Sequence, residues 1–251
     1  MTEQSGFLDR DGERLAWRRI DGSGPTVVWL GGFRSDMTGT KAQALADAAQ
    51  AEGWSFLRFD YSAHGASTGD WLDATIGRWR ADALAVIDAL SEGPLVLVGS
   101  SMGGWMASLA AMARPERLHA LVLIAPAPDF TERLMRPNLT PQALSELELN
   151  GVWMQPDAFD GPYAITRRFL DEGRDHLILD GPVPISCPVR ILQGQRDDAV
   201  PWAHALALAD VLESDDVLFT LKKSGDHRLS SPEDIARLIG TVAEVRALRP
   251  A

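Results

Sequence analysis

The sequence predicts an α/β fold: a doubly wound, mostly parallel sheet with an N-terminal antiparallel hairpin and a helical insertion late in the chain. Three observations carry this. Six apolar, β-branched runs alternate with helix-length segments along the 251 residues, the rhythm of βαβ units. The runs are continuously rather than alternately apolar, as strands covered on both faces are. The length and a 45% hydrophobic composition suit one domain with a large core.

The elements follow in order. Residues 5–10 and 13–19 alternate on either side of "DRDG" and form the hairpin. "PTVVWLGG" (25–32) is the first inner strand, followed by a helix over 38–53 that Gly53 closes. "WSFLRFDY" (54–61) is a strand, and a long helix is expected over 71–92, again stopped by glycine. "PLVLVGSS" (94–101), a helix over 102–116 and "HALVLIAPA" (119–127) come next. After the insertion the pattern resumes with "PVRILQGQ" (188–195), a helix over 201–214, "VLFTLKKS" (217–224) and a last helix over 231–248. That last helix is opened by Ser231-Pro232 with Glu233 and Asp234 behind them.

Between Pro126 and Pro184 the rhythm breaks. Prolines at 126, 128, 137, 141, 156, 162 and 182 are interspersed with Phe130, Leu134, Met135, Trp153, Met154, Phe159 and Phe169. Exposed loops rarely hold so many large apolar groups, so residues 127–184 are expected to form a lid over one end of a core made of 1–126 and 185–251.

Composition excludes several classes. A formal net charge of −11 with no block of lysines and arginines leaves no basic face for nucleic acid. No apolar run approaches the ~20 residues that span a bilayer. The single cysteine, Cys187, excludes an internal disulfide and a CxxC metal site, and is expected as a small buried residue at a strand entrance. The opening "MTEQSGFLDRDGERLAWRRIDG" has neither an apolar signal core nor an Arg- and Ser-rich, acid-poor leader, so a cytoplasmic location is expected.

The chemistry centres on "VGSSMGG". Gly99-Ser100-Ser101-Met102-Gly103 fits G-x-S-x-G for Ser101 only, since centring on Ser100 would need glycine where Val98 and Met102 stand. A strand turning sharply into a helix strains the nucleophile's backbone, and the residues two before and two after must be tiny. Of five histidines, His227 in "KKSGDHRLSSPED" follows the last strand in a polar loop, whereas His119, His176 and His204 lie in other contexts. His64, with Gly65, is expected to shape a loop. "ILQGQRDDAVP" offers Asp197 and Asp198; Asp197 sits in the turn off the strand and is preferred, giving the chain order Ser, Asp, His. Asp226 is too close to His227 in sequence to reach its ring. The amides of Met102, after the nucleophile, and of Phe33, beyond Gly31-Gly32, are expected to form an oxyanion hole. Trp105 beside the elbow, and Trp153 and Met154 from the lid, are expected to border the substrate pocket. No metal site is expected.

Together "WLGGF", "GSSMGGWM", "RFDYSAHGASTGD", "CPVRILQGQRDDAVPW" and "SGDHR" resemble the serine α/β-hydrolase superfamily. They are most similar to its branch of mitochondrial acyl-protein thioesterases and acyl-glucuronide esterases and that branch's bacterial relatives. The likeness runs from about Thr26 to His227. It implies a triad of Ser101, Asp197 and His227 and cofactor-free hydrolysis of a small-molecule acyl ester or thioester, or of an S-acylated protein. One departure is Gly31-Gly32 where the family usually has His-Gly, which removes a side chain that buttresses the loop. A small-molecule carboxylesterase, a carbon-carbon bond hydrolase and a non-catalytic binding protein are the alternative readings on the same scaffold.

Overall fold

In a computed structural model that describes residues 2–156 and 161–248, the chain enters its sheet through an antiparallel hairpin of β1 (Gln4–Arg10) and β2 (Glu13–Ile20). Asp11 and Gly12 turn it at φ 50° and 85°. β3 (Ser23–Leu30), helix α1 (Thr40–Glu52) and β4 (Trp54–Phe59) form the first parallel crossover. Gly53 closes α1 in the left-handed conformation, its N–H returned to Ala49 O. α2 (Ile76–Leu90) leads to β5 (Leu95–Ser100), and α3 (Met102–Ala113) to β6 (Leu118–Ile124).

The insertion holds a π-helical turn over Thr131–Met135, α4 (Pro141–Asn150), a two-stranded ribbon of β7 (Val152–Gln155) and β8 (Tyr163–Thr166), and α5 (Arg167–Glu172). Phe159 lies outside the described residues. The core resumes with β9 (Val189–Gly194), α6 (Trp202–Val211), β10 (Val217–Lys222) and α7 (Pro232–Ala247).

The main sheet runs β1-β2-β4-β3-β5-β6-β9-β10, parallel from β4 onward. One apolar layer joins it to α1 and α7 through Leu45, Ala49, Leu238 and Val242. The other joins it to α2, α3, α6 and the insertion through Trp79, Ile87, Met106, Leu208 and Phe169. From β3 the chain moves outward to β4 and then back across to β5. The order therefore reverses between β3 and β5, where a crevice opens at the carboxyl ends of the strands.

Helix limits differ from the sequence reading where a local cap or a proline overrides apolar periodicity. The helix expected over 71–92 is two pieces. Asp70 caps a 3-10 turn at Trp71–Asp73, and extended Thr75 then restarts the chain, its Oγ1 accepting Arg78 N–H. α2 stops at Leu90, where the Ser91 hydroxyl donates to Ile87 O. α3 ends at Ala113 because Pro115 cannot continue it. α7 starts as expected, with reciprocal Ser231 and Asp234 bonds forming a capping box.

The insertion is closed on itself and fastened to the core. Its two ends are joined by the fully buried Asp129 carboxylate, which accepts N–H from Ile178 and Leu179. Trp71 Nε1–H donates to Ala164 O, and Gly77 N–H to the Glu172 carboxylate.

Candidate active site

Ser101 stands between β5 and α3 at φ 55°, ψ −121°, a region that a non-glycine residue occupies only when its surroundings enforce it. The enforcement is visible. Ser101 N–H donates to Ile124 O, and its carbonyl accepts from Gly104 and Ala127. The flanking glycines are places of contact: a Cβ on Gly99 would lie 2.2 Å from Gly103 O, and one on Gly103 2.0 Å from Leu30 O. The G-x-S-x-G spacing thus records how closely β5, α3 and the end of β3 approach one another.

His227 reaches across from the loop after β10, its Nε2 3.1 Å from Ser101 Oγ and its Nδ1 2.8 Å from Asp197 Oδ2. Ionised Asp197 can only accept, so Nδ1 carries the proton and Nε2 faces the serine hydroxyl. Asp197 also accepts N–H from Ala199 and Val200 and the Gln193 side-chain amide. Burial alone would raise its pKa; the bonds from His227, Val200 and Gln193 outweigh that and hold the carboxyl below its ordinary range. Asp198 is exposed, and Asp226 is occupied by Leu229 N–H. His119, His176 and His204 bond to Val245 O, Glu172 and Pro128 O, away from the serine.

Gly32 packs on the elbow, its Cβ position 3.3 Å from Ser100 O and 3.5 Å from Ser101 Cβ. Phe33 and Met102 stand with Ser101 in the wall of one chamber, and among the described residues neither amide makes a backbone hydrogen bond outside the helices and strands. The Phe33 ring is clamped by Trp71, Trp79, Phe130, Tyr163 and Phe169, with centroids 5.2–5.9 Å away.

Two chambers flank Ser101. One of about 320 Å³ is walled by Met102, Ala127, Phe130, Leu134, Met135 and Val200, with Gln155 at its edge. The other, about 420 Å³, is polar, with Ser35, Thr40, Lys41, Arg228 and Ser230 among its walls. Lys41 Nζ donates to Arg228 O and so ties α1 to the His227 loop; burial pushes this ammonium's pKa down to about 8. Among the described residues, no group of three or more His, Cys, Asp and Glu side chains could hold a metal ion, and no helix is long and apolar enough to cross a membrane.

Three expected pocket residues are elsewhere. Trp105, one helical turn past Ser101, is fully buried, donates to His176 O and lines neither chamber. Met154 faces solvent at 49% exposure, and Trp153 packs partly buried against the core. Strand parity explains Met154, which lies on the face of β7 opposite Gln155, the side chain that reaches the chamber; Trp153 shares the Gln155 face but packs against the core instead. Cys187 is half-buried rather than buried, its thiol pushed up to about 12 by desolvation. Lys41, Leu134, Met135 and Gln155 went unassigned to the site in the sequence, because each meets it through folding alone.

A sheet of this order, with a serine, a histidine and an aspartate in one hydrogen-bonded chain at the carboxyl ends of its strands, is that of an α/β hydrolase. The chain belongs to the alpha/beta hydrolase family, whose model matches residues 27–238. It is 40% identical over 243 residues to the human protein named Palmitoyl-protein thioesterase ABHD10, mitochondrial, covering 95% of this chain and 79% of that one. The bovine counterpart matches equally, at 40% over 242 residues and with the same coverage. Among solved structures, a putative hydrolase from Agrobacterium vitis superposes with a TM-score of 0.92 at 41% identity, covering 97% of this chain and 98% of that one. Mouse alpha/beta hydrolase domain-containing protein 10 superposes with a TM-score of 0.89 at 39% identity, covering 96% and 98%.

The cytoplasmic location expected from the opening residues is corrected by these relatives, which are named mitochondrial. Most of the opening stretch forms the β1–β2 hairpin, so its composition is that of the edge of a sheet.

Proposed function

We propose that this hydrolase is a serine enzyme of acyl thioesters and carboxylic esters, working through Ser101, His227 and Asp197. The observation that carries the reading is the hydrogen-bonded chain from Asp197 through His227 to Ser101, set where an apolar and a polar chamber meet. Ser101 Oγ attacks the acyl carbonyl while His227 Nε2 takes its proton, and Asp197 stabilises the imidazolium. The Phe33 and Met102 amides hold the oxyanion. The tetrahedral intermediate collapses, His227 protonates the leaving thiol or alcohol, and water repeats the cycle on the acyl-enzyme.

The acyl chain occupies the apolar chamber and the leaving group the polar one. The insertion over 127–184 acts as a cap that supplies Phe130, Leu134 and Met135 to the acyl wall. The names of the relatives favour a thioester on an S-acylated protein as substrate. Lys41 and Arg228 in the polar chamber favour a second substrate, an acyl glucuronide, whose leaving sugar carries a carboxylate.

Fluorophosphonate labelling of the wild type and Ser101→Ala tests the nucleophile. A panel of thioesters, acyl glucuronides and chromogenic esters of rising chain length tests the substrate. Labelling confined to the wild type, with acyl turnover, is expected; labelling or turnover that persists in Ser101→Ala refutes the assignment.

A further inference from the structure

Segment 33–37 runs off β3 past the elbow, and Gly31 and Gly32 give it no side chain with which to brace itself. Its support comes from the loop that follows β4. Residues 60–69 fold around the Asp60 carboxylate, which accepts Ala66 N–H from its own loop and Met37 N–H from the neighbouring segment, at 2.8 and 2.7 Å. The loop is tight enough that a Cβ on Gly65 would sit 2.2 Å from Asp60 Oδ2.

His64 makes a second attachment from the same loop. Its ring is 3% exposed, with Nε2 3.2 Å from Arg34 N and Nδ1 3.1 Å from Ser62 O. Ser62 O only accepts, so Nδ1 carries the proton and Nε2 offers its lone pair to Arg34 N–H. Burial pushes the imidazole pKa down to about 4, in keeping with a neutral ring. Ser62 is itself fixed: its N–H and Oγ–H donate to Asp82 Oδ2, and Trp79 Nε1–H donates to its carbonyl. Tyr61, Trp71 and Trp79 pack around the ring.

The amide that His64 receives belongs to the peptide joining Phe33 to Arg34, and Arg34 sits at φ 56°, a left-handed conformation that needs outside support. Without the imidazole this N–H would lose its acceptor and the peptide its fixed plane. We propose that His64 is a positioning residue of the reaction: its Nε2 holds the Phe33–Arg34 peptide and, through the Cα of Phe33 that the two planes share, restrains the adjoining Gly32–Phe33 peptide whose N–H is directed at the oxyanion. The inference rests on the hydrolase reading above.

The test compares His64→Leu, His64→Asn and His64→Gln with wild type and Ser101→Ala. The readouts are kcat, KM, Tm and inhibition by an alkyl trifluoromethyl ketone. That probe reports the hole directly: Ser101 Oγ adds to its carbonyl carbon, the carbonyl electron pair becomes the oxyanion, and the hydroxyl proton passes to His227. Gln places an oxygen near the position of Nε2, whereas Asn and Leu do not. His64→Leu and His64→Asn are expected to lose roughly 10²-fold in kcat, the scale of one oxyanion donor, and to weaken the ketone by the same factor with KM little changed. His64→Gln is expected to recover most of both. Wild-type kcat and ketone affinity in His64→Leu or His64→Asn overturn the inference, as do losses in all three variants that simply follow Tm. Should the leucine variant fail to fold, the Asn and Gln pair gives the same comparison. Turnover that survives Ser101→Ala overturns the hydrolase reading instead, a separate result.

Discussion

Gly103→Ala is the sharpest perturbation the elbow allows, because it adds one methyl group where three backbone segments meet. The new Cβ would stand 2.0 Å from Leu30 O and 2.6 Å from Gly31 O, against 3.4 Å for an ordinary contact. About 1.4 Å must be found, and the atoms in the way are backbone, not the ends of flexible side chains. The end of β3 therefore moves, and Gly32 and Phe33 move with it. Overpacking of this kind costs about 1–3 kcal/mol, which for a chain of this size lowers Tm by roughly 2–4 °C per kcal/mol. Displacing an oxyanion donor by ~1 Å costs kcat on the order of 10²-fold or more. Turnover of a short chromogenic ester gives kcat, and circular dichroism gives Tm. Gly240→Ala, in α7 with nothing within 4 Å of its Cβ position, is the control and is expected to gain about 0.5–1 kcal/mol. Wild-type kcat and Tm in Gly103→Ala would refute the idea that the motif's second glycine marks a close approach of β3.

Asp197→Asn keeps the shape of the acid but turns an amide toward His227 Nδ1 or strands the Ala199 and Val200 amides; a fall in kcat of about 10⁴-fold with little change in KM is expected from steady-state kinetics. The same carboxyl sets a pH limb. Its folded pKa lies below its unfolded value of about 3.9, so its contribution is fully present above that value and is lost as pH falls through the folded pKa. Urea unfolding of Asp197→Asn should accordingly show a flatter acid limb than wild type below about pH 4. Met135→Trp shortens the apolar chamber, and kcat/KM for long acyl esters should drop at least about tenfold while acetyl esters are spared, as a chain-length series would show. Asp129→Ala orphans the Ile178 and Leu179 amides; at about 1–3 kcal/mol for each unsatisfied group, chemical denaturation should register several kcal/mol of lost stability.

What the sequence made legible was local or periodic. Ser101 was readable because the glycines that permit the elbow lie two residues away on either side. Asp197 was separable from Asp198 by its place in the turn, and His227 by its polar loop after the last strand. Contacts made across the chain were not readable. Lys41 meets the His227 loop 187 residues away, and no feature of "TGTKAQ" announces it. Trp105 is near Ser101 in sequence, but one turn of α3 carries its ring under the insertion. Met154 and Gln155 differ only by strand parity, which depends on the register of the β7–β8 ribbon. The break at Thr75 was hidden because apolar periodicity continues through it, while a single hydroxyl cap decides where the helix begins.

Among the described residues, the two chambers share only Phe33, Ser101 and His227 in their walls. On the proposed assignment of acyl chain and leaving group, Leu134 and Met135 line one chamber alone and Thr40 and Arg228 the other, so any coupling between changes at the two sets runs through the three shared residues, and a double-mutant cycle should show effects close to additive. The hinge between the two is the small set of groups that neither can alter without losing turnover.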